Sequence, residues 1–225
     1  EGVEYYEITV NGQMSLVSDI TYPYIVEDGV TTVTVEPVFE GCYTIKNEIE
    51  ICYSKPVENL RFVELDTDGM LHFQWDGSSN DSYYEVTCNG ADAQTVYSSD
   101  AVFAAEVGTN TISVVAHSNF GCNSDPVSLT QNVCAGVEGF DYSFEGALVT
   151  ITWNGDAESY KVMIDSDWLL PETVETPSYT TNLEGSHFIE VTPDYGDACV
   201  AFTARFDFEV INVMPEIRFN DVREG

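Results

Sequence analysis

The sequence has few basic residues. Only 7 Lys and Arg side chains stand against 39 Asp and Glu, which gives a formal net charge of −32. A surface this acidic repels phosphate backbones and anionic lipid headgroups at long range. The composition therefore argues against nucleic acid as a partner and against binding to an anionic membrane.

Long apolar runs are missing as well. No stretch of 18 apolar residues is present, so no membrane insertion is predicted, and no signal-peptide pattern is visible. Apolar residues nevertheless make up 44% of the chain and aromatic residues 12%. That content is sufficient for packed cores, so a disordered acidic chain is not predicted.

The residue types that catalysis needs are scarce. The only histidines are His72, His117 and His187, and none of them forms a metal-spaced pair with another. Nucleophile-elbow, Walker-type and dinucleotide glycine patterns are all absent. Because catalysis requires a convergent set of side chains, the sequence predicts no enzyme.

A repeated pattern organises the chain. A Tyr-containing strand pattern recurs at nearly equal intervals, at Tyr6, Tyr84 and Tyr160. An independent pattern ends in Trp75 and recurs at Trp153, after the same interval that separates Tyr6 from Tyr84. A shared period in independent blocks indicates tandem copies of one structural unit, here about 78 residues long.

A third block contains a late cysteine and keeps nearly the same spacing, at Cys42, Cys122 and Cys199. The phase of the three blocks predicts a partial module with C-terminal strands only, two complete modules, and the first strand of a following module. The predicted bounds are 1–55, 56–134, 135–213 and 214–225. We expect a longer polypeptide that continues in both directions.

Apolar and polar residues alternate within the repeated blocks, which is the period of half-buried strands. Turn sequences such as Asn89-Gly90 separate these segments, and no window shows convincing helical spacing. About seven short strands in each unit predict an antiparallel β-sandwich with very little helix. The predicted core residues are Trp75, Trp153, Tyr6, Tyr84 and Tyr160.

The opening Pro strand, the inward Trp of the second strand, the Tyr of the third and the late Gly-Cys resemble fibronectin type III-like modules. A second cysteine one strand later resembles the variant found in large secreted Bacteroidetes proteins, including adhesin regions and polysaccharide-degrading enzymes. This resemblance implies an all-β fold of tandem immunoglobulin-like sandwiches arranged end to end. It also implies an extracellular or cell-surface location.

Two cysteine pairs bracket the last hairpin of their modules. Cys42 and Cys52 are ten positions apart, and Cys122 and Cys134 are twelve apart at matching repeat positions. We predict the disulfides Cys42–Cys52 and Cys122–Cys134, which require an oxidising compartment.

The other two cysteines receive separate interpretations. Cys88 falls on the same strand face as Tyr84 and Val86 and is predicted to be a buried thiol. Cys199 has no cysteine after it and is predicted to be a lone thiol, a Cys88–Cys199 bond being the disfavoured alternative.

Calcium is the one cofactor that the sequence suggests. Asp66 and Asp68, and likewise Asp165 and Asp167, present alternate carboxylates in predicted loops, and hard cations favour such oxygen clusters. An ordinary turn is the competing interpretation, because Asp-Gly is a common turn sequence.

Three aromatic residues are candidates for contacts. Tyr22 and Tyr24 form a small aromatic loop, and Trp168 follows the third strand of its module without a counterpart in the other repeats. Such a residue contacts either a glycan or the adjacent module.

Two functional hypotheses compete. In the first, the chain is a non-catalytic shaft of a long surface adhesin or filament. In the second, it supplies spacer or accessory carbohydrate-binding modules to a secreted polysaccharide-degrading enzyme. The expected partners are neighbouring modules of the same chain, with other copies or surface glycans as further candidates.

Overall fold

A computed structural model of the chain describes residues 3–39, 44–145, 148–166 and 171–210. This part of the chain contains nineteen β-strands and one short 3₁₀ turn, Gly196–Ala198. The expected all-β fold is confirmed by the pairing among the described strands, which includes antiparallel pairs in every sheet and a short parallel pair. Among the described residues, no helix is long and apolar enough to cross a membrane.

The described residues form two compact units. The first contains residues 3–39, 44–66, 70–105 and 109–131. The second contains residues 67–69, 106–108, 132–145, 148–166 and 171–210.

Eleven strands begin before residue 132. They are β1 (Tyr5–Val10), β2 (Gln13–Val17), β3 (Gly29–Val38), β4 (Asn47–Tyr53), β5 (Glu58–Leu65), β6 (Met70–Asp76), β7 (Asp81–Cys88), β8 (Gln94–Val96), β9 (Asp100–Ala104), β10 (Gly108–Ser118) and β11 (Val127–Cys134). The first unit arranges them as three sheets in the orders β2-β1-β3-β4, β5-β6-β9 and β8-β7-β10-β11.

The second unit contains the remaining strands. They are β12 (Glu138–Glu145), β13 (Leu148–Asn154), β14 (Ser159–Ile164), β15 (Glu172–Val174), β16 (Ser178–Thr181), β17 (Gly185–Asp194), β18 (Val200–Ala201) and β19 (Ala204–Val210). Two antiparallel sheets form, β12-β13-β16 and β15-β14-β17-β19. The end of β11 pairs in parallel with β18, Val133 opposite Val200 and Cys134 opposite Ala201.

Alternation along the strands builds both cores. In β6 the buried residues Leu71, Phe73 and Trp75 share one face, and Trp75 lies edge-on against Tyr84 of β7 with ring centroids 5.2 Å apart. A contact of this kind joins the Trp-bearing sheet to the Tyr-bearing sheet, because two sandwiched sheets interdigitate their inner side chains.

The second unit repeats this arrangement. Val149, Ile151 and Trp153 of β13 are buried, and Trp153 lies edge-on against Tyr160 with ring centroids 5.4 Å apart. β17 and β19 add Ile189, Val191, Phe208 and Val210 to the same core. Removal of so much apolar surface from water is the main stabilising contribution to each sandwich.

The turn after the Tyr strand is the same in all three repeats. Its two central residues have positive φ angles, 48° and 85° at Asn11-Gly12, 52° and 72° at Asn89-Gly90, and 51° and 53° at Asp165-Ser166. Two consecutive positive φ angles define the type I′ hairpin turn, which favours Asn, Asp and Gly. The chain therefore turns the same way at each copy despite a different residue pair at the third.

Candidate functional site at the disulfide-linked repeats

The cysteines join differently from the sequence-based expectation. Cys52 bonds Cys122 and Cys134 bonds Cys199, with Cα separations of 5.4 and 5.8 Å. The predicted pairs Cys42–Cys52 and Cys122–Cys134 are therefore wrong, and so is the prediction that Cys199 is a lone thiol. Cys42 itself lies outside the described residues.

Strand length explains the error at Cys52. The β3–β4 hairpin places Cys52 opposite Val30, near the start of β3, whereas Asn47 at the start of β4 lies opposite Val35. Five strand residues separate Asn47 from Cys52, which is about 17 Å at the usual rise of a strand. Cys42 precedes the hairpin's second strand in the sequence, so the two cysteines bracket a strand that is longer than any disulfide can span.

The same reason applies to the second pair. Cys122 precedes β11, and Cys134 is the last residue of β11, seven residues beyond Val127. That length of strand extends about 24 Å, whereas bonded cysteines hold their Cα atoms within about 7 Å of each other. A cysteine at the end of a module's last strand consequently reaches beyond its own repeat.

Both bonds follow one rule. The last-strand cysteine of a predicted repeat (Cys52, Cys134) bonds the late cysteine of the next predicted repeat (Cys122, Cys199). The bonds close large loops, with sequence separations of 70 and 65 residues. In the chain-entropy model, loops of this size stabilise the native state by about 4 kcal/mol each.

The surroundings of the first bond are closely packed. Cys122 is buried, and its Sγ lies 3.7 Å from the carbonyl oxygen of Gly29. The ring of Phe120 covers Gly29, and a Cβ added at this glycine would lie 3.4 Å from the ring. Gly29 also has a φ of 127°, which other residues rarely adopt, so glycine is required here for the backbone conformation.

Asp28 forms a polar contact beside this bond. Its Oδ2 accepts hydrogen bonds from Ser78 Oγ at 2.6 Å and Asn80 Nδ2 at 3.2 Å, and its Oδ1 accepts one from the backbone N–H of Lys55 at 3.2 Å. Burial alone would raise the pKa of Asp28, but these hydrogen bonds and the nearby charge of Lys55 outweigh burial and lower the pKa. The carboxylate therefore connects residues 28 and 55 to the 78–80 turn in its ionised form.

The second bond has its own backbone contacts. The N–H of Phe202 donates to the carbonyl oxygen of Cys134 at 3.3 Å, and Asn132 Nδ2 donates to the carbonyl oxygen of Ala198 at 3.4 Å. A Cβ added at Gly136 would come within 2.8 Å of the carbonyl oxygen of Phe202. The chain thus approaches the backbone just after β18 too closely for any other residue at position 136.

The sequence patterns did not identify Asp28, Gly29, Phe120, Gly136 or Phe202 as functional residues. One signal was available for Phe120, because an aromatic residue precedes the late cysteine in each copy of the repeat, as Phe39, Phe120 and Tyr195. Nothing in the sequence alone marks Asp28.

The aromatic and cysteine residues expected in the core are placed as follows. Trp75, Trp153, Tyr84 and Tyr160 are buried, whereas Tyr6 is half-buried. Cys88 is a buried thiol outside both disulfides, so no Cys88–Cys199 bond forms.

Asp165 has a role in its turn that the residues at the equivalent positions of the other two repeats share. Its Oδ1 accepts a hydrogen bond from the N–H of Phe188 at 3.0 Å. Asn11 Oδ1 accepts from Thr32 at 3.0 Å and Asn89 Oδ1 accepts from Thr111 at 2.8 Å in the corresponding turns. The side-chain oxygen at this position fastens the turn to the neighbouring strand, which needs no metal.

The other carboxylate proposed for calcium is occupied too. Asp66 Oδ1 accepts from the N–H of Met70 at 2.8 Å, and Asp66 Oδ2 lies 2.8 Å from His72 Nε2. No group of three or more potential metal-binding His, Cys, Asp or Glu side chains occurs in the described ranges, which include Asp68 but not Asp167. The turn interpretation therefore accounts for the observed contacts of Asp66 and Asp165.

His187 faces two acceptors. Its Nδ1 lies 2.7 Å from Asp165 Oδ2, and its Nε2 lies 3.0 Å from the carbonyl oxygen of Glu184. The hydrogen bond with Asp165, followed by the one with Glu184, raises the pKa of His187. Burial would raise the pKa of Asp165, but the bonds from His187 and Phe188 lower it. The pair thus favours the ionised form of both side chains.

Each of the three histidines adjoins a different carboxylate. His72 adjoins Asp66, His187 adjoins Asp165, and His117 Nε2 lies 3.2 Å from Glu85 Oε2. His117 also stacks on Tyr83 with ring centroids 4.3 Å apart. Each histidine therefore has a local structural contact of its own.

Tyr22 and Tyr24 lie beside an apolar cavity of the first unit. The cavity has a volume of about 450 Å³, and Ile8, Val10 and Val35 contribute to its lining. Both tyrosines are also partly exposed, at 39% and 45%. Glycan contact by these residues stays a prediction, and Trp168 lies outside the described residues.

Comparisons with known proteins identify no family. No family model matches the chain, and no curated protein matches it. Among solved structures, a central fibronectin III array of RIM-binding protein is 17% identical, with a TM-score of 0.30, covering 71% of this chain and 70% of that one.

Two chicken proteins give similar values. A two-domain fibronectin type III segment of tenascin is 16% identical, with a TM-score of 0.33, covering 68% of this chain and 99% of that one. The interferon gamma receptor alpha chain is 11% identical, with a TM-score of 0.31, covering 68% and 97%. Scores this low do not bear on the fold, which rests on the strand pairing described above.

Proposed function

We propose that this chain is part of the non-catalytic shaft of a long extracellular surface protein or filament, of the type found in secreted Bacteroidetes adhesins. The observation that carries the proposal is the pairing of cysteines between successive predicted repeats, Cys52 with Cys122 and Cys134 with Cys199. Bonds within a repeat would stabilise that repeat only. Bonds between predicted repeats tie the last strand of one repeat to the next repeat, which suits a shaft.

The disulfides also favour a location outside the cytoplasm. Two structural disulfides in a chain of 225 residues persist in oxidising compartments and are rare in the reducing cytosol. Cys52 is exposed, so a cytosolic reductant would have direct access to the first bond.

The negative net charge suits a surface protein whose copies must not aggregate with one another. A net charge of −32 makes neighbouring chains repel one another at low and moderate ionic strength. Exposed edges of a β-sheet can pair with strands of other chains. Charges of the same sign on neighbouring chains oppose such pairing. The acidity therefore supports a soluble shaft whose partners are the modules before and after it.

The junction contacts support the same role. Asp28 binds the 78–80 turn through two side chains, and Phe120 covers Gly29 at the same place. Together with the disulfide, these contacts restrict motion between residues 28–55 and the strands that follow.

Mass spectrometry of the native parent polypeptide tests this proposal. The expected result is a long series of repeats of the length found in this chain, each with the same two cysteine positions, and no catalytic domain nearby. A hydrolase domain within one or two repeats of this segment would contradict it and would make these residues spacer or accessory modules of that enzyme.

A further inference from the structure

We infer that the two disulfides create a covalent force path that bypasses most of the folded chain. The inference deepens the structural role proposed above and depends on it for its biological meaning, although the physical claim needs only the observed cysteine pairing. The bonds are staggered along the sequence, so that the second begins twelve positions after the first ends, at Cys122 and Cys134.

Tension applied at the two ends of the chain follows the shortest covalent route. It runs from the N-terminal residues to Cys52, crosses to Cys122, follows residues 122–134 and crosses again to Cys199. Residues 53–121 and 135–198 lie inside the closed loops and outside this route. A covalent bond cannot lengthen appreciably, so the chain within the loops carries no end-to-end extension while the disulfides remain intact.

The closed loops contain the Trp–Tyr contacts of both cores. Trp75 and its Tyr84 contact lie within the first loop, and Trp153 and its Tyr160 contact lie within the second. Antiparallel strands that are pulled from opposite ends separate when their hydrogen bonds fail. Here the disulfides transmit the pull past these strands, so β6, β7, β13 and β14 are not extended while the bonds remain intact, whereas β11 and β19 stay on the loaded route.

The length hidden by each bond sets the size of the effect. A separation of 70 residues between Cys52 and Cys122 corresponds to about 24 nm of extended chain. A separation of 65 residues between Cys134 and Cys199 corresponds to about 22 nm. At full extension, the end-to-end length of the oxidised chain should therefore be about 46 nm less than that of the reduced chain.

Single-molecule force spectroscopy measures this difference directly. The 225-residue chain is held by handles at its two ends and stretched fully, first oxidised and then in the presence of dithiothreitol. Intact mass beforehand shows that both bonds have formed. The expected result is a gain of about 46 nm on reduction, in two steps of about 24 and 22 nm.

Matched variants assign each step. The double variant Cys52→Ser/Cys122→Ser should release the step of about 24 nm without reductant, and Cys134→Ser/Cys199→Ser should release the step of about 22 nm. Cys42→Ser serves as the control, because it belongs to neither bond and should leave both steps hidden. If either double variant fails to fold, reduction of the unaltered chain in the instrument still decides the question.

Two results would overturn the inference. One is an oxidised chain that extends as far as the reduced chain. The other is a gain of only about 3–4 nm for each bond, which is what pairs ten and twelve positions apart would hide. Either result would remove the cysteine pairing as support for the shaft, whereas the shaft itself is overturned by a parent polypeptide that proves to be a short array attached to an enzyme, whatever the steps measure.

Discussion

Removal of the second disulfide should lower the stability of the second unit by an amount that the loop size fixes. Cys134 and Cys199 are 65 residues apart, and the chain-entropy model assigns a loop of that length about 4 kcal/mol. The double variant Cys134→Ser/Cys199→Ser should lose this much of its free energy of unfolding. Serine is nearly the size of cysteine and Cys134 is half-buried, so the loss reflects mainly the freed loop, with a smaller contribution from the hydroxyl placed at the buried position 199.

Urea unfolding followed by tryptophan fluorescence provides the assay, since Trp153 is buried in this unit. With an m-value of about 2 kcal/mol/M, a loss of about 4 kcal/mol moves the midpoint down by about 2 M urea. Cys42→Ser is the matched control and should keep both bonds and the original midpoint. An unchanged midpoint in the double variant, or an equal loss in Cys42→Ser, would refute the reasoning from loop closure.

Three other substitutions give distinct results. Asp165→Asn keeps the turn acceptor but removes the charge beside His187. In the unaltered chain, the raised pKa of His187 contributes stability that is lost as the pH rises through that pKa. The lowered pKa of Asp165 contributes stability that is lost as the pH falls through the pKa of Asp165. Thermal melts should therefore differ most from the unaltered chain between about pH 4 and 6.5, and an equal difference at about pH 9, where the histidine is neutral, would contradict this. Trp153→Ala should cost about 3–5 kcal/mol by urea titration, and a cost under about 1 kcal/mol would place the side chain outside the core. Asp28→Ala should cost about 1–3 kcal/mol because Asn80 loses its acceptor, with Asp19→Ala, on an exposed position, as the neutral control.

The repeated patterns predicted the sandwich well because they report on strand faces. Alternation fixed which side of β6 and β13 faces inward, and Trp75 and Trp153 are buried on those faces. The turn signal at Asn89-Gly90 predicted a reversal because few residues tolerate positive φ angles. These properties depend on neighbours along the chain, which a sequence displays directly.

The disulfide pairing could not be read in the same way. Cys52 is nearest in sequence to Cys42. It nevertheless lies near the end of β4 and bonds Cys122, which is 70 positions later. Sequence spacing ranks partners by chain distance, whereas a strand of a sandwich sends its two ends to opposite edges of the domain. Asp28 was missed for a related reason, since its partners Ser78 and Asn80 lie far along the chain, at sequence separations of 50 and 52.

Disulfide mapping of the oxidised chain tests the central claim most directly. Trypsin cleaves after Lys46, Arg61, Lys161 and Arg205, and mild acid cleaves the single Asp125–Pro126 bond, which separates Cys122 from Cys134. Low pH suppresses thiol–disulfide exchange during the acid step, because the attacking thiol is protonated, and free thiols are alkylated before trypsin is added.

Non-reducing mass spectrometry then identifies the linked fragments. The structure predicts that fragment 47–61 is joined to 62–125, and fragment 126–161 to 162–205. Fragments 1–46 joined to 47–61, together with 62–125 joined to 126–161, would contradict it, because the bonds would then lie within repeats and no junction would be held.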